Sequence, residues 1–253
     1  MKRTTLILTA AVLVAACSDS TSPAGEQGVS LSFGARAAGP TMAPGALLSV
    51  ASDTLGDSQS NELILTSVEV VLREIELKRQ SASVCDDLPG NDDCEKFEAG
   101  PVLLDVPLNG ETATLISITP DPDTYDEIDF EIHKVSSDAP EDALFRSAHP
   151  DMVDKSIRVQ GSYNGQPFTY ETDLDVEQEF DLAPAIVVDS VGAATNVTIM
   201  LDVDQWFRDL AGNLVNPQSG NKGGANESLV KENIKQSVEA FEDHDSDGEP
   251  DVS

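Results

Sequence analysis

Ser156-Ile-Arg-Val-Gln-Gly-Ser-Tyr163, Asn164-Gly165, Gln166-Pro-Phe-Thr-Tyr-Glu-Thr172 is the stretch whose reading decides the fold. Asn-Gly tolerates the positive φ angles of a two-residue hairpin turn, and the flanking runs carry alternating and β-branched or aromatic side chains. The stretch therefore predicts two antiparallel strands joined by a tight turn.

The same pattern extends in both directions. Glu62 to Lys78 is a dense β-branched run in which Val68, Val70 and Leu72 share one parity and Ile75 and Leu77 the other, as a bulge near Arg73 would produce. Val102, Leu104, Val106 and Leu108 alternate up to Asn109-Gly110, and Ala113 to Ile118 reads as a further strand. Ile128, Phe130 and Ile132 oppose Glu127, Asp129, Glu131 and His133 in parity; Leu174, Val176, Phe180 and Leu182 likewise oppose Asp173, Asp175, Glu177, Glu179 and Asp181. Residues 138 to 154, with Pro140 and Pro150, read as an excursion outside the sheet. Ala185 to Asp189 and Asn196 to Phe207 complete the strands downstream, the latter with Val197, Ile199, Leu201 and Val203 inward; Val29, Leu31 and Phe33 mark a first strand upstream. Many short strands without long helical runs between them predict an all-β fold, an antiparallel β-sandwich over residues 29–225. Val230, Ile234, Val238 and Phe241 recur at helical spacing with the acid Glu227 in the first turn, which predicts one C-terminal α-helix over 226–242.

Ahead of the sandwich, Lys2 and Arg3 precede the apolar run Leu6 to Val14 and the small residues Ala15-Ala16. The run is well short of the roughly 20 residues a membrane span requires. With Cys17 next, the leader resembles a bacterial lipoprotein signal. That resemblance implies cleavage after residue 16, lipidation of Cys17, and a membrane partner held through the N-terminal lipid. Ser18 in place of Asp implies the outer membrane of the cell envelope by similarity to the enterobacterial sorting rule. Residues 17–28, rich in Ser, Thr, Pro and Gly, read as a flexible tether. In an oxidising compartment the remaining pair, Cys85 and Cys94, is expected to form a disulfide across the acidic loop between them.

Without Lys2 and Arg3, 15 basic residues become 13 against 46 acids, a formal charge of −33 on the mature chain. Nucleic-acid readers carry the opposite footprint, so that class of partner is excluded. Carboxylates in such excess can serve instead as oxygen ligands for divalent cations.

Thr66 to Leu77, Val102 to Gly110, Tyr125 to Ile132, the hairpin, and Thr198 to Asp204 together resemble a family of exported bacterial lipoproteins built on a domain of unknown function. The resemblance implies a transthyretin-like or immunoglobulin-like sandwich and a cell-envelope address, and it brings no catalytic residues.

Asp243-His-Asp-Ser-Asp-Gly-Glu-Pro-Asp251 places carboxylates at alternate positions before a Gly able to turn sharply. It resembles the Asp-rich repeats of thrombospondin type 3 and the first half of an EF-hand loop. The resemblance implies calcium held by the side chains of Asp243, Asp245 and Asp247, the backbone carbonyl of Glu249, and Asp251. An EF-hand's twelfth-position Glu would fall beyond Ser253, so a weak site is expected. The alternative is a solvated acidic tail. The two acidic strand faces are expected to be separated, or bridged by basic residues or a cation, because like charges directly opposite destabilise a strand pair.

Catalytic patterns are sparse. His133, His149 and His244 show no H-E-x-x-H spacing, no G-x-S-x-G elbow occurs, and Gly56-Asp57-Ser58 reads as a turn. Asp202 and Asp204, on one face of the expected strand, could imitate a glycosidase pair. One Trp and three Tyr offer few platforms for stacking sugars. The expected function is a non-catalytic, membrane-anchored envelope lipoprotein acting as a binding module for a protein or glycan ligand or as a structural module of the envelope, with calcium as a stabilising ion. The alternative is a carbohydrate-active or other hydrolytic enzyme of the envelope.

Overall fold

The structure, a computed structural model, describes residues 29–36, 53–80, 100–118, 120–188, 195–243, 245 and 248–250. Eleven strands are found among them: β1 (Val29–Arg36), β2 (Asp53–Gly56), β3 (Glu62–Arg79), β4 (Val102–Asp105), β5 (Thr112–Ile118), β6 (Asp123–Ile132), β7 (Ile157–Tyr163), β8 (Gln166–Thr172), β9 (Val176–Val188), β10 (Thr195–Asp202) and β11 (Val238–Glu242). Three short helices accompany them: α1 (Ala143–Ala148), α2 (Val203–Trp206) and α3 (Glu227–Lys235). No helix among the described residues is long and apolar enough to cross a membrane.

The strands form two packed sheets, an all-β sandwich as the alternation predicts. One sheet has the order β11-β10-β1-β5, the other the path β8-β7-β3-β6-β9 with β2 and β4 also paired to β3. All pairs are antiparallel except β1 with β10, which run parallel from Val29↔Thr195 to Arg36↔Asp202. The apolar parity of each strand supplies one continuous core: Leu31, Phe33, Val197 and Ile199 from the smaller sheet and Val68, Val70, Ile128, Phe130 and Tyr170 from the larger are all buried within it. Each such side chain contributes about 1.5–3 kcal/mol when fully buried.

β3 is the spine of the larger sheet. β7 pairs with Leu63 to Val70 and β6 with Leu72 to Arg79. At the junction, Val71 N–H donates to Ser156 O and Val71 O accepts from His133 N. The expected bulge is present: the register with β6 jumps between Arg73 and Glu76, and Glu74 adopts φ 51°. That jump explains how Leu72 and Ile75 are both buried. The hairpin of β7 and β8 turns through Asn164 (φ 50°) and Gly165 (φ 74°), the two positive angles that its Asn-Gly pair predicts.

Several boundaries differ from expectation: the strand beginning at Val102 ends at Asp105, Ala185 to Val188 continues β9, and two changes lie nearer the C-terminus. The C-terminal helix stops at Lys235 rather than running through 242, and Val238–Glu242 is β11, paired to β10 from Leu201↔Val238 to Val197↔Glu242. A spacing of three between Val238 and Phe241 fits a helix turn, but the free edge of β10 offers five residues of backbone pairing that the helix could not use. The strand expected over Asn196 to Phe207 ends at Asp202, and Val203–Trp206 coils into α2, which buries Trp206 and joins its Nε1–H to Ser237 Oγ at 2.6 Å.

The excursion between β6 and β7 does lie outside the sheet. It folds as α1 and a short 3₁₀ turn, Pro150–Met152, and is fixed by a small separate cluster of Phe145 and Met152 with Val71 and Val135. This anchoring brings Asp142 over the end of β6.

Candidate functional site

β3, β6 and β9 lie side by side, and their registers set charged residues in rows. Lys78 stands opposite Glu127, which stands opposite Asp181; Glu76 opposes Asp129, which opposes Glu179; Arg73 opposes Glu131, which opposes Glu177. The two acidic faces are therefore adjacent and directly opposed. Basic residues of β3 bridge them in part. Lys78 Nζ reaches Glu127 Oε1 at 2.7 Å and Asp129 Oδ2 at 2.5 Å, and Arg73 Nη2 reaches Glu131 Oε2 at 2.7 Å. β9 offers no base at Glu177, Glu179 or Asp181, so its carboxylates face those of β6 uncompensated from their own strand.

The energetics show in the ionisation of the buried members. Burial pushes the Asp129 carboxyl above the ordinary range despite its bond to Lys78, with the charges of Glu127 and Glu179 adding to the shift. Asp129 is 4% exposed, and its Oδ1 has no hydrogen-bond partner. Burial likewise raises Glu131, against Arg73, with Asp175 adding repulsion. Burial works against the Lys78 ammonium, but its bonds to Asp129 and Glu127 outweigh that and hold it above the usual lysine value. A small notch of about 120 Å³ opens here, lined by Glu74, Glu76, Asp129, Phe130, Glu131 and Glu177.

One residue beyond β6, His133 continues the acidic parity. Its ring is 4% exposed and is held from one side by Asp142, whose oxygens lie 2.9 and 3.0 Å from Nε2. Asp142 is completely buried and also accepts Ser136 N–H at 2.6 Å. On the other side, Nδ1 has no hydrogen-bond partner and lies 3.7 Å from both Glu131 Oε2 and Asp175 Oδ1. The three ligand atoms of Glu131, His133 and Asp175 fall within 4.8 Å of one another. Asp175, which precedes β9, is positioned by Lys134 N–H at 3.0 Å. Beyond Lys134 opens a polar cleft of about 520 Å³, lined among others by Lys155, Lys222 and Asp173; Asp173 is held well below the carboxylate range by hydrogen bonds from Lys222 and Lys231.

Of the residues expected from sequence to carry sites, Cys17, Cys85, Cys94, Asp247 and Asp251 lie outside the described residues. Asp243 is fully buried at the end of β11, its Oδ2 accepting from Thr198 Oγ1 at 2.7 Å and from Gly248 N–H at 3.0 Å. The chain thus doubles back after Asp243, with Gly248 at φ 82°, while Asp245 and Glu249 are exposed. Asp202 and Asp204 do not share a strand face: Asp202 ends β10, and Asp204 lies in α2 with its carboxylate bound to Arg208. Asp57 opens a turn, accepting from the Gln59, Asn61 and Leu214 N–H groups. His149 closes α1 with its ring tilted against Phe145, centroids 4.7 Å apart, and His244 lies outside the described residues. Sequence reasoning placed His133 on the acidic parity but missed Asp142 and Asp175 as its partners.

Comparison of the chain with protein families, with curated protein sequences and with solved structures finds no match.

Proposed function

We propose that the protein is an exported, lipid-anchored module of the bacterial cell envelope that binds a protein or glycan ligand without catalysis, its fold stabilised by divalent cations. The observation that supports this most is the in-register opposition of Glu127 with Asp181, Asp129 with Glu179 and Glu131 with Glu177. Such an arrangement costs stability unless cations attend it. The leader ending at Cys17 supplies the anchor in this reading. Calcium is the cation of choice for the C-terminal loop. The resemblance makes Asp245, Asp247, the Glu249 carbonyl and Asp251 its ligands, whereas Asp243, buried with its Oδ2 accepting from Thr198 Oγ1 and Gly248 N–H, serves to fold the segment back.

Calcium at a hundredfold over its Kd would stabilise the fold by about 2.7 kcal/mol. The test compares melting temperatures of the full chain in millimolar calcium and magnesium at equal ionic strength. Calcium should raise the midpoint more, and Asp245→Ala with Asp247→Ala should abolish that excess. Equal responses to the two ions in the wild type would remove calcium from the proposal. Labelled palmitate incorporated by the wild type and not by Cys17→Ser tests the anchor.

A further inference from the structure

We infer that Glu131, His133 and Asp175 form a binding site for a divalent transition metal of the zinc class, with Asp142 as the residue that positions the histidine. The site is separate from the C-terminal loop and differs from it in chemistry, because an imidazole nitrogen is a ligand for zinc-like ions and a poor one for calcium.

The geometry of His133 carries the inference. Facing the Asp142 carboxylate at 2.9 and 3.0 Å, Nε2 is the donor, which leaves Nδ1 as the ring nitrogen that can offer a lone pair to an ion. Asp142 is fixed as an acceptor by its second donor, Ser136 N–H. A carboxylate that orients a metal-binding histidine through its far nitrogen is the usual outer partner of such sites. The lone pair of Nδ1 then points, buried and without a hydrogen-bond partner, toward two carboxylate oxygens. Three electron-rich atoms converging there repel one another, and Arg73 on Glu131 Oε2 with Lys134 N–H on Asp175 Oδ1 offsets that only in part.

The distances favour a metal over a shared proton. At 3.7 Å each, the Nδ1 to oxygen separations exceed hydrogen-bond length. Ligand bonds of about 2.1 Å at a tetrahedral centre put neighbouring ligand atoms roughly 3.4 Å apart, which small side-chain adjustments would reach here. The charge balance agrees. Glu131, Asp142 and Asp175 are opposed chiefly by the guanidinium of Arg73, which binds Glu131 Oε2 and is itself shared with Glu74 at 3.1 Å. A divalent ion corrects that excess.

The fold keeps the three ligands in place. Glu131 and His133 project from the same side of one strand and its extension, and the β6–β9 register sets Asp175 across from His133, next to the Ile132↔Val176 pair. Asp142 is pinned by the cluster of Phe145 and Met152 on Val71. The Asp175 side chain is 53% exposed, which gives the ion a way in and leaves a fourth position for water or a ligand group.

The test uses the full chain freed of metal with a chelator, then titrated with zinc or cobalt alone. One cobalt per chain should give a visible d–d band that one equivalent of zinc removes. Asp175→Asn, at a half-exposed position, should weaken zinc by at least about tenfold, and Asp142→Asn by about 10–100-fold with an altered cobalt spectrum. The response to calcium should be unchanged in both variants. Absence of a stoichiometric cobalt band in the wild type overturns the inference, as does zinc binding of undiminished affinity in Asp175→Asn. His133→Gln should abolish the band; if that variant does not fold, Asp175→Asn decides alone.

Discussion

Glu179→Lys should make the protein more stable, which is unusual for a single substitution. Glu179 is exposed on β9 directly opposite Asp129, whose buried carboxylate has one oxygen bonded to Lys78 and the other without a partner. Side chains so placed have Cβ atoms about 4.5–5.5 Å apart. At about 5 Å two like charges repel by roughly 0.8 kcal/mol in the dielectric of water and about 3 kcal/mol at an effective value of 20. Measured cross-strand pairs lie at the lower end, roughly 0.2–1 kcal/mol. Reversing the sign counts the pair twice, so the expected gain is about 0.4–2 kcal/mol, or about 1–8 °C in Tm for a domain of this size. Glu179→Gln, which removes repulsion without adding attraction, should give about half. The assay is thermal unfolding at low salt and again near 1 M, where a Debye length of about 3 Å should shrink both gains. A Tm for Glu179→Lys at or below wild type at low salt, or a gain indifferent to salt, would refute the claim that opposed carboxylates burden this sheet.

Three further outcomes are expected. Gly161→Ala should cost about 2–3 kcal/mol in urea unfolding, because its new Cβ would sit 1.9 Å from the backbone oxygen of Ile64 and force β3 from β7. Ser237→Ala should cost about 1–3 kcal/mol by leaving the buried Trp206 N–H without an acceptor, and adding Trp206→Phe should cost less than the two separate effects summed. Desolvation opposes ionisation of Asp57, yet hydrogen bonds from Asn61, Leu214 and Gln59 hold its pKa down to about 2 from an ordinary 3.8. A folded value below the unfolded one means stability present above the unfolded pKa and lost as pH falls through the folded one. The Tm difference between wild type and Asp57→Asn should therefore close as pH drops from about 4 to 2.

Local patterns told truly wherever one strand decided its own fate. The change of parity at Arg73 is written in β3 itself, as is the Asn164-Gly165 turn, and both are in the structure where expected. Errors arose where a neighbour decided. Val238 and Phe241 satisfy a helix as well as a strand, and only the unpaired edge of β10 settles which. Val203 prolongs the alternation of β10, yet the chain coils there so that Trp206 can reach Ser237. The candidate metal site failed to be legible for the same reason. The parity of Glu131 and His133 is visible in sequence, but the register that brings Asp175 across and the loop that delivers Asp142 depend on contacts between distant segments.

The parallel pairing of β1 with β10 divides the molecule by order of synthesis. Every described strand of the larger sheet falls between Asp53 and Val188, whereas the smaller sheet joins the first described strand and the last two to β5, which comes from within that interval. As the chain emerges, Val29 to Arg36 can meet β5 early but must wait for Thr195 to Asp202 before its second edge is covered. Contacts spanning so much chain are the slow ones to form. Until they do, an apolar strand with an open flank waits near the early part of the chain, and whatever escorts the chain during that interval has to shield it.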